Sequence, residues 1–364
     1  MTPRQRILTA LRRAIPDHVP CVPDLWEMVP VRLTGRPAWE ILVDEAVPIW
    51  KVRMDAYRYF GADALFAVHV PTCAGTTAVV HRDHEKVIVR EYSERGGAIS
   101  WSAYATVVFA RPPSAYVLAS SFGLPAAHAR WEPVRPASAK LGRAWFEEAR
   151  AYAGEDGVVA PMVSLPGIPV FEKEMLRYAD EPAAVAEEME RDGEAMMSQA
   201  ETLLSWKPDV LMIGNSGLLV SNPPPTFRSL GLRWLQLLTR RARECGVLTH
   251  MHCCGPERAL VEMAARETDL DGIEPLEGPP MGDCDLAEIK RAFGKRLALK
   301  GNLHTTDVML LAGPGGVEEA CKRAIDAAAS GGGFILSTGD QTPRDVRDET
   351  IATMLRVAET YGRY

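Results

Sequence analysis

Short apolar runs alternate with longer amphipathic stretches from about residue 157 to the end of the chain. Within each run the apolar residues are continuous, which is typical of parallel strands that are buried on both faces. The intervening stretches place apolar residues three or four positions apart, as a helix with one buried face does. The pattern therefore predicts six strands, each followed after a connection by a helix. The strands are residues 158–163, 210–213, 247–250, 270–273, 297–300 and 334–337, and the helices are residues 182–206, 228–244, 257–267, 286–293, 317–329 and 345–361.

Two further strands are predicted before residue 157, at residues 18–22 and 62–68. The first follows an N-terminal helix in which Thr2 and Gln5 fit a capping box and Pro3 stands at the first helical position. The second follows a helical stretch at residues 38–59. Eight strands that alternate with helices are the number found in a TIM barrel, so we expect an α/β fold of the (β/α)8 type. Because no long linker interrupts the chain, we expect residues 1–364 to form a single domain.

The segment at about residues 76–136 departs from this alternation. Residues 86–92 and 98–101 have the composition of strands, and Gly96-Gly97 separates them. A Gly-Gly pair between two such runs is a signal for an antiparallel hairpin. The sequence therefore predicts a β-rich excursion inserted after the second strand of the barrel.

Polar side chains are concentrated where the predicted strands end. The active sites of TIM barrels lie at the C-terminal ends of the strands. Each of these residues alone is a weak indication, but together they fit a functional barrel mouth. In chain order they are Asp24, Glu27, His69, Cys73, Ser164, Asn215, Ser216, His250, His252, Cys254, Glu274, Glu277, Asn302, His304, Thr338 and Asp340.

The strongest local signal is the segment from His250 to Cys254 at the end of the fifth strand. Residues two apart on a strand point to the same side, so His250, His252 and Cys254 share one face and Cys253 takes the other. A thiolate beside an imidazole is a ligand pair that zinc prefers. The segment therefore indicates a metal site, with His250 as a buried neighbour. The alternative is a buried strand end that simply carries these residue types.

The composition of the chain limits which binding partners and which cellular location we expect for the protein. The chain is 47% hydrophobic and 24% charged, with a formal net charge of −7, which argues against nucleic acid as the main partner. No apolar stretch approaches the length that crosses a membrane, and the N-terminus lacks the apolar core of a signal peptide. The seven cysteines, an odd number in a long chain, do not suggest a disulfide framework. We therefore expect a cytoplasmic protein.

Several parts of the sequence resemble the uroporphyrinogen decarboxylase superfamily. They are residues 2–11 with 16–20 at the start, residues 271–275 through 300–302, and residues 331–340 with 361–364 at the end. The likeness covers nearly the whole chain except the excursion near residues 76–136. It implies a TIM barrel, in agreement with the strand count.

Two activities of that superfamily make different demands on the sequence. Its decarboxylases use no metal and bind the tetrapyrrole through an Arg-rich N-terminal motif and an Asp in the cleft, and no such motif stands near Asp24. Its corrinoid-dependent methyltransferases bind zinc through His-x-Cys at the fifth strand and a later Cys. His252-Cys253-Cys254 matches the first part, whereas Asp340 stands where the later Cys is expected.

The resemblance thus implies a zinc-dependent methyltransferase that moves a methyl group between a small methoxylated or methylated substrate and a corrinoid. Because nothing in the sequence resembles a cobalamin-binding domain, the corrinoid is expected on a separate protein. The alternatives are a decarboxylase of the tetrapyrrole type and a non-catalytic barrel that binds a tetrapyrrole or corrinoid. A metal-dependent hydrolase is a further reading, but its His-x-His pair belongs on the first strand rather than the fifth.

The expected zinc ligands are His252 and Cys254, completed by Glu274 or Asp340. Asp340, His304 and Asn215 are the expected catalytic residues. Three of these residues have an alternative, purely structural role: Glu274 could hold a loop, Asp340 could cap the final helix, and His304 could lie on the surface.

Overall fold

A computed structural model describes residues 1–71, 76–134 and 140–364, except for the side chain of Arg95. The strands are β1 (Ala64–Val68), β2 (Thr77–Arg82), β3 (Lys86–Arg95), β4 (Ala98–Phe109), β5 (Ala115–Leu118), β6 (Glu132–Pro133), β7 (Gly157–Val163), β8 (Val210–Gly214), β9 (Leu248–His252), β10 (Gly272–Glu274), β11 (Ala298–Leu303) and β12 (Phe334–Thr338). The helices are α1 (Pro3–Leu11), α2 (Met28–Thr34), α3 (Ala38–Leu42), α4 (Ile49–Phe60), α5 (Gly142–Ala153), α6 (Glu172–Asp180), α7 (Pro182–Ser205), α8 (Leu218–Ser221), α9 (Pro224–Leu230), α10 (Leu232–Glu244), α11 (Arg258–Glu267), α12 (Leu286–Phe293), α13 (Gly313–Ala328) and α14 (Asp348–Thr360), and a π-helix covers Thr305–Leu311.

The chain forms two compact units, and the first contains the parallel sheet. This unit comprises Met1–Asp24, Tyr57–His69 and Ala153–Tyr364. Among the described residues its sheet has seven strands in the order β1-β7-β8-β9-β10-β11-β12, and all of them pair in parallel. Every residue of β1, β7 and β12 is buried, because helices cover a parallel sheet on its outer face. The α/β fold is therefore the TIM-barrel-like one that the apolar runs predict.

The first predicted strand in chain order, residues 18–22, is not a regular strand. In this described segment a single parallel bridge joins Cys21 to Leu336 of β12. The amide of Leu336 donates to the carbonyl of Pro20, and the amide of Val22 donates to the carbonyl of Leu336. Pro20 has no N–H of its own, so it cannot donate a second hydrogen bond on the side that faces β12. A strict eight-stranded barrel is therefore not formed by this segment.

A side chain takes the place of a backbone ladder beside this segment. The amide of Cys21 donates to Oδ2 of Asp63, immediately before β1, over 3.0 Å. The other oxygen of Asp63 accepts from the guanidinium of Arg6 at 2.5 Å, and only 5% of Asp63 is exposed. Burial raises the pKa of Asp63, and Arg6 opposes that rise. Arg6 lies on α1, whose predicted capping box between Thr2 and Gln5 is present.

Two predicted helices are each divided in the structure. The stretch at residues 38–59 is α3 and α4, and α4 begins directly after Pro48. A proline disfavours helical geometry in the residue before it, which explains why α4 does not begin before Pro48. The stretch at residues 228–244 is α9 and α10, separated by Gly231. A Cβ atom at Gly231 would lie 2.5 Å from the ring of Phe227, so only glycine fits at this junction.

The second compact unit comprises Leu25–Ala56 and Val70–Tyr152. In its described part, an antiparallel sheet has the strand order β5-β4-β3-β2-β6. The predicted hairpin is β3 and β4, and Gly96 and Gly97 in its turn have φ angles of 58° and 81°, which glycine adopts without strain. The predicted β-rich excursion is therefore present, although its residues 135 and 136 lie outside the described part. The expectation of a single domain stays a prediction.

No helix in residues 1–71, 76–134 and 140–364 combines the length and the apolar character that a membrane span requires.

Replacing Asp63 by alanine is expected to destabilise the protein by about 1–3 kcal/mol, because the amide of Cys21 loses its buried acceptor and the guanidinium of Arg6 keeps only the exposed Asp17 as its charged partner. Chemical denaturation measures this difference. Glu190→Ala is the matched control, since Glu190 forms its ion pair with Arg233 at the surface, where such pairs contribute little. Equal stability of Asp63→Ala and the wild type would contradict the role given to Asp63.

Candidate active site

The C-terminal end of β9 places His252 between two neighbouring strands. The parallel register sets His252 opposite Gly214 of β8 and opposite Glu274 of β10. Side chains at equivalent positions of paired strands point to the same face of the sheet. The predicted strand ends of His252 and Glu274 are therefore direct neighbours.

Glu274 is almost fully buried and uses both of its oxygens. Oε1 lies 3.1 Å from Nδ1 of His252. Oε2 lies 2.9 Å from Nε2 of His250 and 2.6 Å from Nζ of Lys300. Burial alone would raise the pKa of Glu274, but Lys300 and the two histidines hold it well below its usual value. Glu274 is therefore an ionised carboxylate that orients the imidazole of His252.

His252, Cys254 and Asp340 come together on the other side of that imidazole. One ligand-capable atom from each of the three lies within 4.8 Å of the others. Nε2 of His252 is 3.8 Å from Oδ1 of Asp340. Burial would lower the pKa of His252, but its hydrogen bonds with Cys254 and Glu274 raise the pKa well above its ordinary value. The cluster thus offers an imidazole, a thiol and a carboxylate at one point.

Asp340 has a strained backbone and does not cap the final helix. Its φ angle of 131° lies in a region that residues with side chains rarely adopt. The hydroxyl of Thr338 donates to the carbonyl of Asp340 over 2.7 Å and helps to hold this conformation. Helix α14 begins only at Asp348, with Arg347 at its N-cap. The alternative of a capping role for Asp340 is therefore wrong.

Asp24 joins the same cluster from the segment that pairs with β12. Ligand-capable atoms of Asp24, His252 and Glu274 form a second group within 4.8 Å. Burial raises the pKa of Asp24, and the negative charges of Glu274 and Asp340 add to that rise, while Lys300 opposes it. The segment of Asp24 is fixed by its amide, which donates to the hydroxyl of Thr338. The first predicted strand therefore delivers a carboxyl group to the mouth although it is not a regular strand.

Two further buried carboxyl groups surround the cluster. Oε2 of Glu277 accepts from the amide of Gly255 at 2.7 Å, and burial raises the pKa of Glu277. Oε2 of Glu257 accepts from the amide of Leu276 at 3.0 Å, and full burial raises the pKa of Glu257 well above its usual value. The mouth is thus rich in carboxyl groups.

His304 caps the π-helix through its ring. Its Nδ1 accepts hydrogen bonds from the amides of Thr306 and Asp307, at 3.2 and 2.9 Å. A ring nitrogen that accepts cannot carry the proton, so the neutral imidazole has its N–H at Nε2. The side chain is 21% exposed, so His304 is not a plain surface residue. Its catalytic role stays a prediction.

Asn215 is held by backbone groups on the neighbouring strand connection. Its Oδ1 accepts from the amide of Leu165 at 2.8 Å, and its Nδ2 donates to the carbonyl of the same residue at 3.1 Å. Its own amide donates to the carbonyl of His252. Asn215 thus ties the segment after β7 to the end of β9, and its catalytic role stays a prediction.

Sequence reasoning did not single out Lys300 or Glu257. Lys300 stands in a buried strand and is only 3% exposed. The available signal was a charged residue at the end of the apolar run at residues 297–300, since a buried lysine needs a partner. Glu257 stands at the start of a predicted helix, where glutamate is common, so it gave no such signal. Cys73, one of the strand-end residues, lies outside the described part of the chain.

A protein-family model described as uroporphyrinogen decarboxylase (URO-D) matches residues 166–361, which is more than half of the chain. The chain belongs to this family. The matched region includes the strand ends that carry His252, Glu274 and Asp340. The resemblance recognised in the sequence is thereby confirmed.

Among solved structures, a methyltransferase from Methanosarcina mazei is similar to this chain over 99% of both lengths, with a TM-score of 0.68 and 16% sequence identity. At this identity the match shows a shared fold. A sugar phosphate isomerase/epimerase from Parabacteroides distasonis has a TM-score of 0.35 and 9% identity, over 61% of this chain and 78% of that one, and it carries no argument. A search of the curated proteins finds no match.

Replacing Asn215 by alanine is expected to lower the free energy of unfolding by about 1–3 kcal/mol, because the buried amide of Leu165 loses its acceptor. Asn215→Asp keeps an acceptor oxygen and should be less destabilised. Thermal or chemical unfolding checks both variants, and Ser216→Ala at the exposed neighbouring position is the control. An Asn215→Ala protein that is as stable as Ser216→Ala would show that the bonds to Leu165 contribute nothing.

Proposed function

We propose that this protein is a zinc-dependent methyltransferase. It would move a methyl group between a small methoxylated or methylated substrate and a corrinoid carried on a separate protein. The observation that carries this proposal is the cluster of His252, Cys254 and Asp340, whose ligand-capable atoms lie within 4.8 Å of one another. Membership of the family and the fold shared with a methyltransferase support it.

The residues of the cluster fit zinc. Nitrogen, sulfur and oxygen donors from three side chains are a usual set for a catalytic zinc ion, with a further position for substrate. A histidine that binds metal through one ring nitrogen commonly donates its other N–H to a carboxylate. Glu274 occupies that place on Nδ1 of His252. We therefore assign His252, Cys254 and Asp340 as ligands, and Glu274, which was the other expected third ligand, as the carboxylate that orients His252.

Breaking the bond between a methyl carbon and a substrate oxygen leaves the electron pair and a negative charge on that oxygen. Bound zinc supplies a Lewis acid that stabilises such a charge. The residues of this chain position the ligands. Glu274 fixes the imidazole of His252, and the strained turn at residue 340 brings the carboxylate of Asp340 close to that imidazole. The Nε2–H of His304 is the group that we assign as hydrogen-bond donor to the substrate.

The carboxylate at position 340 bears on the choice of substrate. The family resemblance leads us to expect a third sulfur ligand at this point, and Asp340 replaces it. A carboxylate donates less electron density to a metal ion than a thiolate does. This donor set therefore favours a substrate oxygen, as in a methyl ether, over a substrate sulfur.

The charge of the mouth disfavours the decarboxylase alternative. The negative charges of Glu274 and Asp340 act on Asp24, and Lys300, a cation that opposes them, is bound to Glu274. A porphyrinogen that carries several carboxylates needs cationic side chains to balance them. The carboxyl groups of the mouth would instead repel the carboxylates of the porphyrinogen.

Replacing Cys254 by alanine is expected to abolish zinc binding and methyl transfer while the fold survives, because the barrel core does not include the cluster. Metal content is measured on the purified proteins, and methyl transfer is followed as release of the phenol from an aryl methyl ether with reduced cobalamin as acceptor. Cys253→Ala is the matched control. Cys253 is fully buried, so this variant should lose a little stability and keep its metal.

Full metal content in Cys254→Ala would contradict the proposed site. So would loss of the metal in Cys253→Ala alone. A wild-type protein that binds zinc but transfers no methyl group from any ether tested would support the metal site and contradict the proposed methyltransferase activity.

Incubation with uroporphyrinogen is expected to yield no coproporphyrinogen at an enzymatic rate, because the chain lacks the Arg-rich tetrapyrrole motif near Asp24. Product analysis of the reaction mixture checks this directly. Product formation that disappears in Asp24→Asn would establish the decarboxylase instead.

A further inference from the structure

We propose that Lys300 is a positioning residue of the metal site, which acts through Glu274 to set the direction in which His252 presents its Nε2 atom. The inference rests on the proposed function, since it assigns a role around the same zinc ligands. It adds a residue that makes no contact with the metal or the substrate in the proposed scheme.

The position of Lys300 in β11 brings it beside Glu274. The register of β10 and β11 pairs Ile273 with Leu299, so the next residues along, Glu274 and Lys300, are neighbours. Lys300 is 3% exposed and Glu274 is 4% exposed. A lysine and a carboxylate at this depth are each costly unless they pair closely. Their 2.6 Å contact meets that requirement.

The two oxygens of Glu274 have separate tasks. Lys300 and His250 both contact Oε2, which fixes the rotation of the carboxylate about its last bond. Oε1 is then left to accept the N–H at Nδ1 of His252. With Nδ1 engaged in this way, the imidazole directs Nε2 towards Asp340. Without Lys300 only His250 still holds Oε2, so the rotation of the carboxylate, and with it the direction of Nε2, is less firmly fixed.

Lys300 is not placed to act on a substrate. Its ammonium group is bound to Glu274, and its side chain is only 4% exposed. A buried lysine that is already paired with a carboxylate has little capacity to bind a second anion. The position therefore favours an indirect role over a catalytic one.

The test is the zinc affinity of Lys300→Met, which keeps the length of the side chain and removes its charge. Competition with a chromophoric chelator is expected to show binding about 10- to 100-fold weaker than in the wild type, as for other residues that orient a metal ligand. The visible absorption spectrum of the Co²⁺-loaded protein should change as well, because it reports the arrangement of the ligands. Lys290→Met is the matched control: Lys290 is also partly buried, but it binds the carbonyl of Gly332 near the opposite end of the sheet, and its replacement should leave both readouts unchanged.

A double-mutant cycle shows whether Lys300 acts through Glu274. Glu274→Gln should weaken zinc binding, and adding Lys300→Met to it should cause no further loss. The double variant removes both charges of the buried pair, so it carries the test if Lys300→Met alone does not fold. An additional tenfold loss in the double variant would overturn the inference.

The outcomes for the function and for Lys300 are distinct. Wild-type zinc binding that Lys300→Met leaves at full strength, with an unchanged Co²⁺ spectrum, would overturn the role of Lys300 alone. A wild-type protein that binds no zinc would overturn the proposed function, and this inference with it.

Discussion

The carboxylate of Glu274 lies buried between β9 and β11, where its charge is balanced by Lys300. A buried charge is stable only when its partner is close and its remaining lone pairs are used, and His250 and His252 complete that arrangement. The orientation of His252 follows from these contacts. The meeting of His252 with Cys254 and Asp340 depends in turn on that orientation. This ion pair thus underlies the proposed orientation of His252 at the candidate site.

The other buried carboxylate with a structural task is Asp63. It accepts hydrogen bonds from the amide of Cys21 and from the guanidinium of Arg6, and so it takes the place of a backbone acceptor beside this segment. Asp24 follows this segment directly and reaches the cluster around His252. An irregular closure of the sheet therefore still delivers a site residue to the correct end. Because the carboxylate of Asp63 replaces a backbone acceptor, the segment stays beside the sheet without forming a regular strand.

Much of the candidate site could be predicted from the sequence because strand ends converge in a barrel. His252 and Cys254 were identifiable from their spacing, and Glu274 and Asp340 from their position after strands. Which of these residues bind the metal and which orient a ligand could not be predicted, because that depends on which carboxylate oxygen faces which imidazole nitrogen. Lys300 was missed, since the sequence shows neither the face of the sheet on which its side chain lies nor that the side chain is buried.

The sequence by itself determined the chain order of the strands in the parallel sheet, the hairpin at Gly96-Gly97, the capped first helix and the membership of a barrel family. These features depend on local periodicity and turn chemistry, which act over a few residues. The tertiary structure alone decided that residues 18–22 pair through two isolated bridges and a side chain, and that Glu274 faces Lys300 and two histidines. These outcomes depend on contacts between residues far apart in the chain. Register and burial set such contacts, and both exist only once the sheet has formed.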